Sequence, residues 1–319
     1  MYIPYSELLE TFYTILLKKG FSKERAELSA KLFADASLDG VYSHGVNRFS
    51  TYLSDIDGGI INPEASPVKI DGSNSFERWD GMLGPGNLNA WFCMNRAIEL
   101  ASAYETGCVA LKNTNHWMRA GNYGWQAAEQ GCIGICFTNT IPNMPPWGGI
   151  DAKIGNNPIV IAIPRKNGHL VLDMATSQYA YGKLELYAME GRSLPYPGGF
   201  DSHGELSTDP SAILKTRRVL PVGLWKGSGL TMMIDLLVAG LSGGDTTRDI
   251  GMRGKEFGLS QLFIAFKPSY QNADEIMENH ANELIDYIHS STTDTEILYP
   301  GEGVLRTREK NSKSGIPVN

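Results

Sequence analysis

Leu9, Phe12, Tyr13, Leu16 and Leu17 recur at helical spacing near the start of the chain, and Gly20 stands where a helix stops. Ser22 then caps a second helical pattern that carries Glu24 in its first turn and turns Ala26, Ala30 and Phe33 inward. A third, shorter helix is predicted over "NRFSTYLSDIDGG". From about residue 66 the pattern changes to short β-rich runs bounded by turn residues. Strands are predicted at Pro67–Asp71, Cys108–Lys112, Cys132–Thr138, Ile159–Ile163, His169–Met174, Arg218–Leu224 and Gln261–Phe266. Helices fall over "NLNAWFCMNRAIELASAYE" and "AGNYGWQAAEQG". The runs flanking Lys166-Asn167-Gly168 read as a hairpin, because Asn-Gly accepts the positive φ of tight turns, so the sheet is at least partly antiparallel. Helical period returns over "NADEIMENHANELIDYIHSS", and the tail "GEGVLRTREKNSKSGIPVN" is polar and reads as ending irregularly. The layout predicts a helical terminal domain (1–65 with 270–319) around a central mixed-sheet domain (66–269).

The chain has 319 residues, 42% hydrophobic and 20% charged, with a net charge of −7 and no run of like charges. That is a globular composition, and it argues against nucleic acid or an anionic membrane surface as partner. The longest apolar stretch, Leu230 to Leu241, carries Asp235 and is too short to span a bilayer. No leader pattern opens the chain, so a cytoplasmic protein is expected. Cys132 and Cys136 fall on one face of a predicted strand, which suits buried thiols better than a metal pair.

Two histidines stand apart from His169, His203, His280 and His289, whose settings read as structural or solvated. His44 sits in "GVYSHGVNRF", beside Ser43 and four residues before Arg48. On one helical face, Arg48 can grip a carboxylate while His44 delivers a proton to the neighbouring carbonyl. Ser43 can hold the imidazole; a capping histidine with a solvated arginine is the equal alternative at this point. His116, in "NTNHWMRAGNYGW", follows a strand end, where sites are built. No H-E-x-x-H is present, and no metal is expected. The dinucleotide fingerprint G-x-G-x-x-G is also absent. Its nearest counterpart is Gly227-Ser-Gly229, after Trp225 and Lys226, where a strand is expected to give way to a helix N-terminus. Asp173 ends the hairpin's second strand, either as a cap or as an acceptor for a ribose hydroxyl.

Taken together and in order, "GVYSHGVNRF", "NHWMRAGNYGWQAAEQGCIGIC", "MPPWG", "IGNNPIVIAIP", "LPVGLWKGSG" and "YPGEG" resemble the type-2 malate/L-lactate dehydrogenase family. The resemblance implies an α/β fold with a non-Rossmann, mixed and largely antiparallel sheet flanked by helices from both terminal segments. It implies NAD(P)-dependent reduction of a 2-keto acid, with NADH as the expected cofactor and NADP as the alternative. His44 becomes the proton donor oriented by Ser43, with Arg48 and His116 binding the substrate. The cofactor contacts become His169, Leu170, Val171, Leu172, Asp173, Met174 and Ala175, then Trp225 and Lys226, then Gly301, Glu302 and Gly303. A homodimer with sites near the subunit interface is also implied. Within the family, malate, lactate, sulfolactate, ureidoglycolate or cyclic imino-acid chemistry on the same scaffold is one rival reading, and a non-catalytic protein that senses a sugar acid or dinucleotide is the other.

Overall fold

The computed structural model describes residues 1–292 and 294–318. Strand β1 (Tyr2–Ile3) leads into α1 (Tyr5–Lys18), α2 (Lys23–Leu38), a 3₁₀ turn at Tyr42–His44 and α3 (Val46–Asp57). Strands β2 (Val68–Gly72) and β3 (Phe76–Asp80) precede α4 (Gly86–Tyr104), β4 (Thr106–Thr114), α5 (Gly121–Glu129) and β5 (Ile133–Thr138). The hairpin β6 (Ile159–Ile163) and β7 (Leu170–Met174) is followed by α6 (Tyr181–Met189), β8 (Gly199–Phe200), β9 (Leu206–Ser207) and α7 (Pro210–Thr216). The chain closes through α8 (Trp225–Ser242), α9 (Thr247–Met252), β10 (Leu259–Phe266), α10 (Ala273–His289), α11 (Glu302–Ser314) and β11 (Ile316–Pro317).

The main sheet has seven strands in the order β2-β3-β4-β10-β5-β6-β7, and only the β3–β4 pair is parallel. This is the mixed, largely antiparallel sheet that the sequence predicts. Strand β10 lies at its centre, nearly continuous in apolar side chains because helices cover both faces. On one face α4 and α5 close the largest core, around Met94, Val109, Trp117, Tyr123 and Phe263. On the other, Ile234 and Val238 of α8 pack on Ala110 and Leu262.

A second core joins α1, α2 and α3 through Phe12, Phe33, Phe49 and Tyr52, and it takes in Met118 and Ile316. The two ends of the chain meet where β1 pairs antiparallel with β11. Ser22 does cap α2, accepting from the Arg25 N–H. Among the described residues, no helix is long and apolar enough to cross a membrane, and no cluster of His, Cys, Asp or Glu could hold a metal ion. All four cysteines are free, and all but Cys108 are fully buried.

Three local predictions fail. Arg218–Leu224 is no strand: it makes only isolated bridges at Val219 and Pro221, and Gly223 and Leu224 take positive φ of 58° and 60°. The helix therefore begins at Trp225, so Trp225 and Lys226 are its first turn and not a strand end. The tail does not end irregularly, since it forms α11 and then β11. The hairpin itself holds, but Asn167-Gly168 sits in a six-residue loop between Ile163 and Leu170 rather than in a tight turn.

Candidate active site

His44 closes the 3₁₀ turn, and Gly45 breaks the chain (φ −110°, ψ −121°) before α3 starts at Val46. His44 and Arg48 therefore do not share one helical face, as the spacing predicts. The break is steric: a Cβ on Gly45 would lie 2.3 Å from Ser37 Oγ. That hydroxyl accepts from the Val46 N–H at 2.9 Å and so seats the start of α3. Arg48 still borders this region, lining with His116 the cavity next to the one that His44 and His116 share.

Ser43 Oγ lies 3.0 Å from His44 Nδ1. The His44 ring stacks on His116, with centroids 5.7 Å apart and planes 19° from parallel. The loop after β4 holds His116 rigidly. The Asn115 amide donates to the carbonyls of Leu83 (2.8 Å), Gly84 (3.0 Å) and Ile60 (3.2 Å). The Met118 N–H donates to His116 Nδ1 at 3.0 Å, so a neutral His116 carries its proton on Nε2. Burial, followed by the charges of Arg48 and Arg119, brings the His44 imidazolium down to about 4. His116 is held well below the usual histidine range by burial, then by Arg48 and His44. Both rings are neutral near pH 7.

These histidines border a cavity of about 510 Å³. Its opposite walls are Val171, Leu172, Asp173 and Ala175 of the β7 region and Tyr299, Pro300 and Gly301 ahead of α11. Gly301 accepts a φ of 100°, and a Cβ there would approach the His169 carbonyl and the Val171 amide at 3.1 Å. Asp173 Oδ2 accepts from the Gly121 N–H at 2.8 Å, so the carboxylate both caps α5 and lines the cavity. Burial raises its pKa, against the pull of Arg119 and of that amide. Asp173 keeps an exposed surface toward the cavity all the same.

Of the predicted site residues, Ser43, His44, His116, Val171, Leu172, Asp173, Ala175 and Gly301 converge on this cavity. His169, Leu170, Met174, Trp225, Lys226, Glu302 and Gly303 do not line it. His169 instead accepts from the Arg165 N–H at 3.0 Å and leans on Trp125. Trp225 is exposed on α8, and Glu302 pairs with Arg306 at 2.7 Å. Arg48 lines an adjoining cavity.

Sequence reasoning assigned no role to Arg119, Trp125, Thr140, Asn156 or Tyr299, which all border the main cavity. Arg119, Trp125, Asn156 and Tyr299 stood in the quoted motifs, but that they meet at one cavity with Thr140 is visible only once the strands are in register. A nicotinamide ring suits these walls. Val171, Leu172, Pro300 and Val304 are apolar, Thr140 and Asn156 can meet an amide, and the buried Trp125 Nε1 has no hydrogen-bond partner.

Gly86, at the start of α4, supports the same loop: a Cβ would lie 2.2 Å from the Asn115 carbonyl oxygen and 2.3 Å from that of His116. Gly86→Ala is expected to push the loop outward, with a cost of roughly 1–3 kcal/mol and a fall in turnover. Thermal melting and initial rates check this, and an unshifted melt with wild-type turnover would contradict it.

The sequence profile of the malate/L-lactate dehydrogenase family matches residues 3–319. The 2,3-diketo-L-gulonate reductase of Klebsiella pneumoniae is 43% identical over an alignment covering 100% of this chain and 97% of that protein. The reductase of the same name from Citrobacter koseri is 42% identical over the same shares. Among solved structures, sulfolactate dehydrogenase from Methanocaldococcus jannaschii superposes with a TM-score of 0.91 at 33% identity, covering 100% of this chain and 93% of that one. Malate dehydrogenase from Entamoeba histolytica gives 0.93 at 28% identity, covering 100% and 94%.

Proposed function

The chain belongs to the malate/L-lactate dehydrogenase family and is an oxidoreductase acting on a CH–OH group, and from that premise we propose that it reduces 2,3-diketo-L-gulonate to 3-keto-L-gulonate with NADH. The observation that carries the reading is the stacked pair His44 and His116, facing an apolar-walled cavity with Arg48 beside them. Its likeness over the full length to two reductases of that name supports the substrate. NADPH is the alternative cofactor.

The nicotinamide, when bound, supplies hydride to the C2 carbonyl carbon. The chain's part is to hold the keto acid and to deliver the proton. Arg48 grips the carboxylate, and the Nε2–H of His116 is free to donate to a substrate oxygen. His44 is neutral in the free protein, because burial and two arginines disfavour its charged form. An anionic substrate against Arg48 cancels one of those positive charges, so the imidazolium becomes favourable as the substrate arrives. The proton is thus taken up with the keto acid and passed to the carbonyl oxygen. Ser43 at Nδ1 orients the ring for that transfer. In the oxidative direction the neutral ring is the base.

The apolar face of α8 supports a homodimer. Met233 (61% exposed) and Leu236 (55%) stand beside the exposed Met232 and Leu237 on the side away from the sheet, an apolar helix face suited to a second copy of the chain. Met233→Lys with Leu236→Asp is expected to convert the dimer to monomer in sedimentation. A wild-type protein that sediments as a monomer would overturn the assembly. The free cysteines suit a reducing cytoplasm.

The function is tested by following the nicotinamide absorbance of NADH or NADPH with 2,3-diketo-L-gulonate, pyruvate, oxaloacetate and a cyclic imino acid. Rapid oxidation with the diketogulonate is expected. Turnover of another panel member alone keeps the mechanism and replaces the substrate, and no turnover with any of them would contradict the reading.

A further inference from the structure

A second cavity, of about 350 Å³, shares His116 and Met118 with the first. Arg48, Thr51, Ser54 and Asp55 of α3 form one wall, Asn115 another, and Lys255 and Glu256, between α9 and β10, a third. Three buried side-chain atoms from these separate segments have no hydrogen-bond partner among the described residues: Arg48 Nε, Asn115 Oδ1 and Glu256 Oε1. The Asn115 amide is fixed in orientation, since its nitrogen already donates to three carbonyls. The walls therefore offer one unused donor and two unused acceptors. Buried polar atoms of this kind are costly unless a ligand or water meets them.

The charges narrow the choice of ligand. Arg48 and Asp55 on the α3 wall and Lys255 and Glu256 on another give the cavity two basic and two acidic side chains. Once Arg48 holds a keto-acid carboxylate, a second anionic group would lie against Asp55 and Glu256, whose charged forms burial already disfavours. Hydroxyl groups, by contrast, supply the donors that Asn115 Oδ1 and Glu256 Oε1 lack.

We propose that this cavity receives the hydroxylated chain of the substrate, with Glu256 and Asn115 accepting from its hydroxyls, and that Glu256 sets a preference for polyhydroxylated keto acids over pyruvate and oxaloacetate. The inference rests on the proposed reduction of 2-keto acids. Pyruvate has no hydroxyl to meet these acceptors, and oxaloacetate brings a second carboxylate toward Asp55 and Glu256.

The test compares kcat/KM for 2,3-diketo-L-gulonate with that for pyruvate in the wild type and in Glu256→Met, which keeps length and removes both acceptors. A hydrogen bond to a buried carboxyl contributes enough that the diketogulonate/pyruvate ratio should fall roughly 10- to 100-fold. Glu256→Gln, which retains an amide oxygen at the same reach, should restore most of the ratio. NADH binding by fluorescence, measured on each variant, establishes that the fold is intact, and Glu256→Ala, which also removes both acceptors and should lower the ratio in the same way, carries the comparison where the Met variant does not fold. An unchanged ratio in Glu256→Met with NADH binding intact overturns the proposal while leaving the reductase reading in place. A wild type that shows no preference for the hydroxylated acid overturns the proposal as well. A wild type that reduces no keto acid at all removes the reductase reading and the inference with it.

Discussion

His44→Ala lowers kcat for keto-acid reduction by roughly 10²- to 10⁴-fold, the usual contribution of a positioned general acid, while NADH binding is retained. The ring borders the catalytic cavity but makes no hydrogen bond that the fold depends on beyond the one with Ser43. His116 cannot take over the role: its Nδ1 is occupied by the Met118 N–H, and burial holds its imidazolium well below the usual histidine range. The pH dependence follows from the direction of the shift. The free-enzyme imidazolium is brought down to about 4, so above that pH the productive encounter must gain a proton. The kcat/KM for reduction should then fall about tenfold per pH unit through the neutral range, whereas oxidation, which needs the neutral ring, should stay level. In His44→Ala the slope should vanish along with the rate. Unchanged turnover, or a reduction profile that is flat from pH 6 to 8 in the wild type, would place the proton elsewhere.

Asp39→Ala is expected to destabilise the protein by about 3–5 kcal/mol, because it strands buried charge. Asp39 ends α2 and is buried at 4% exposure. It receives Arg119 Nη1 on one side, and Arg308 of α11 on the other through Nε (2.6 Å) and Nη2 (2.9 Å). Arg119 is equally buried, and Arg308 lies over the Trp125 ring at 4.7 Å. Without the carboxylate, the buried guanidinium of Arg119 loses its counter-charge and is left facing the part-exposed one of Arg308. The change would lower the melting temperature on the order of 10 °C, out of a total stability typically of 5–15 kcal/mol. The damage would also reach the active site, since Arg119 borders the cavity and acts on both His44 and Asp173. Thermal or urea unfolding checks this, and a loss below about 1 kcal/mol would mean that the network contributes little.

Much of the fold was legible where one physical signal governs. The stripe of Phe12 and Leu16 became the buried face of α1, and the apolar run Gln261–Phe266 became the central strand, covered on both sides. Strand β3 was missed because "FERWD" looks polar. Its Glu77 is buried all the same, since Arg96 and Lys69 close on it, and those hydrogen bonds hold its carboxyl down to about 2. A charge paired from a distant helix leaves no periodicity. Helix α11 was missed for a related reason: of its residues only Asn311 is fully buried, its amide donating to the Leu38 carbonyl at 2.8 Å. The false strand at Arg218–Leu224 shows the opposite error, where alternating apolar residues were overruled by two positive φ angles.

The site was legible in parts. "SHG" and "NHW" gave the two histidines, but their stacking depends on α2 seating Gly45 against Ser37 and on Asn115 anchoring the strand end. The strand contacts of the cofactor were named as a continuous run, and only Val171, Leu172, Asp173 and Ala175 of that run line the cavity. Glu256 carried no signal at all, because its meaning comes from Arg48 and Asp55, which the fold brings beside it.

The central claim is that hydride arrives at C2 of a keto acid while His44 protonates the oxygen. The most direct measurement is a turnover of 2,3-diketo-L-gulonate with NADH deuterated at the transferring position of the nicotinamide, followed by mass spectrometry and NMR of the product. The account predicts one deuterium, bonded to carbon 2 of a 2-hydroxy acid. A product without deuterium, or with the label at carbon 3, would contradict it.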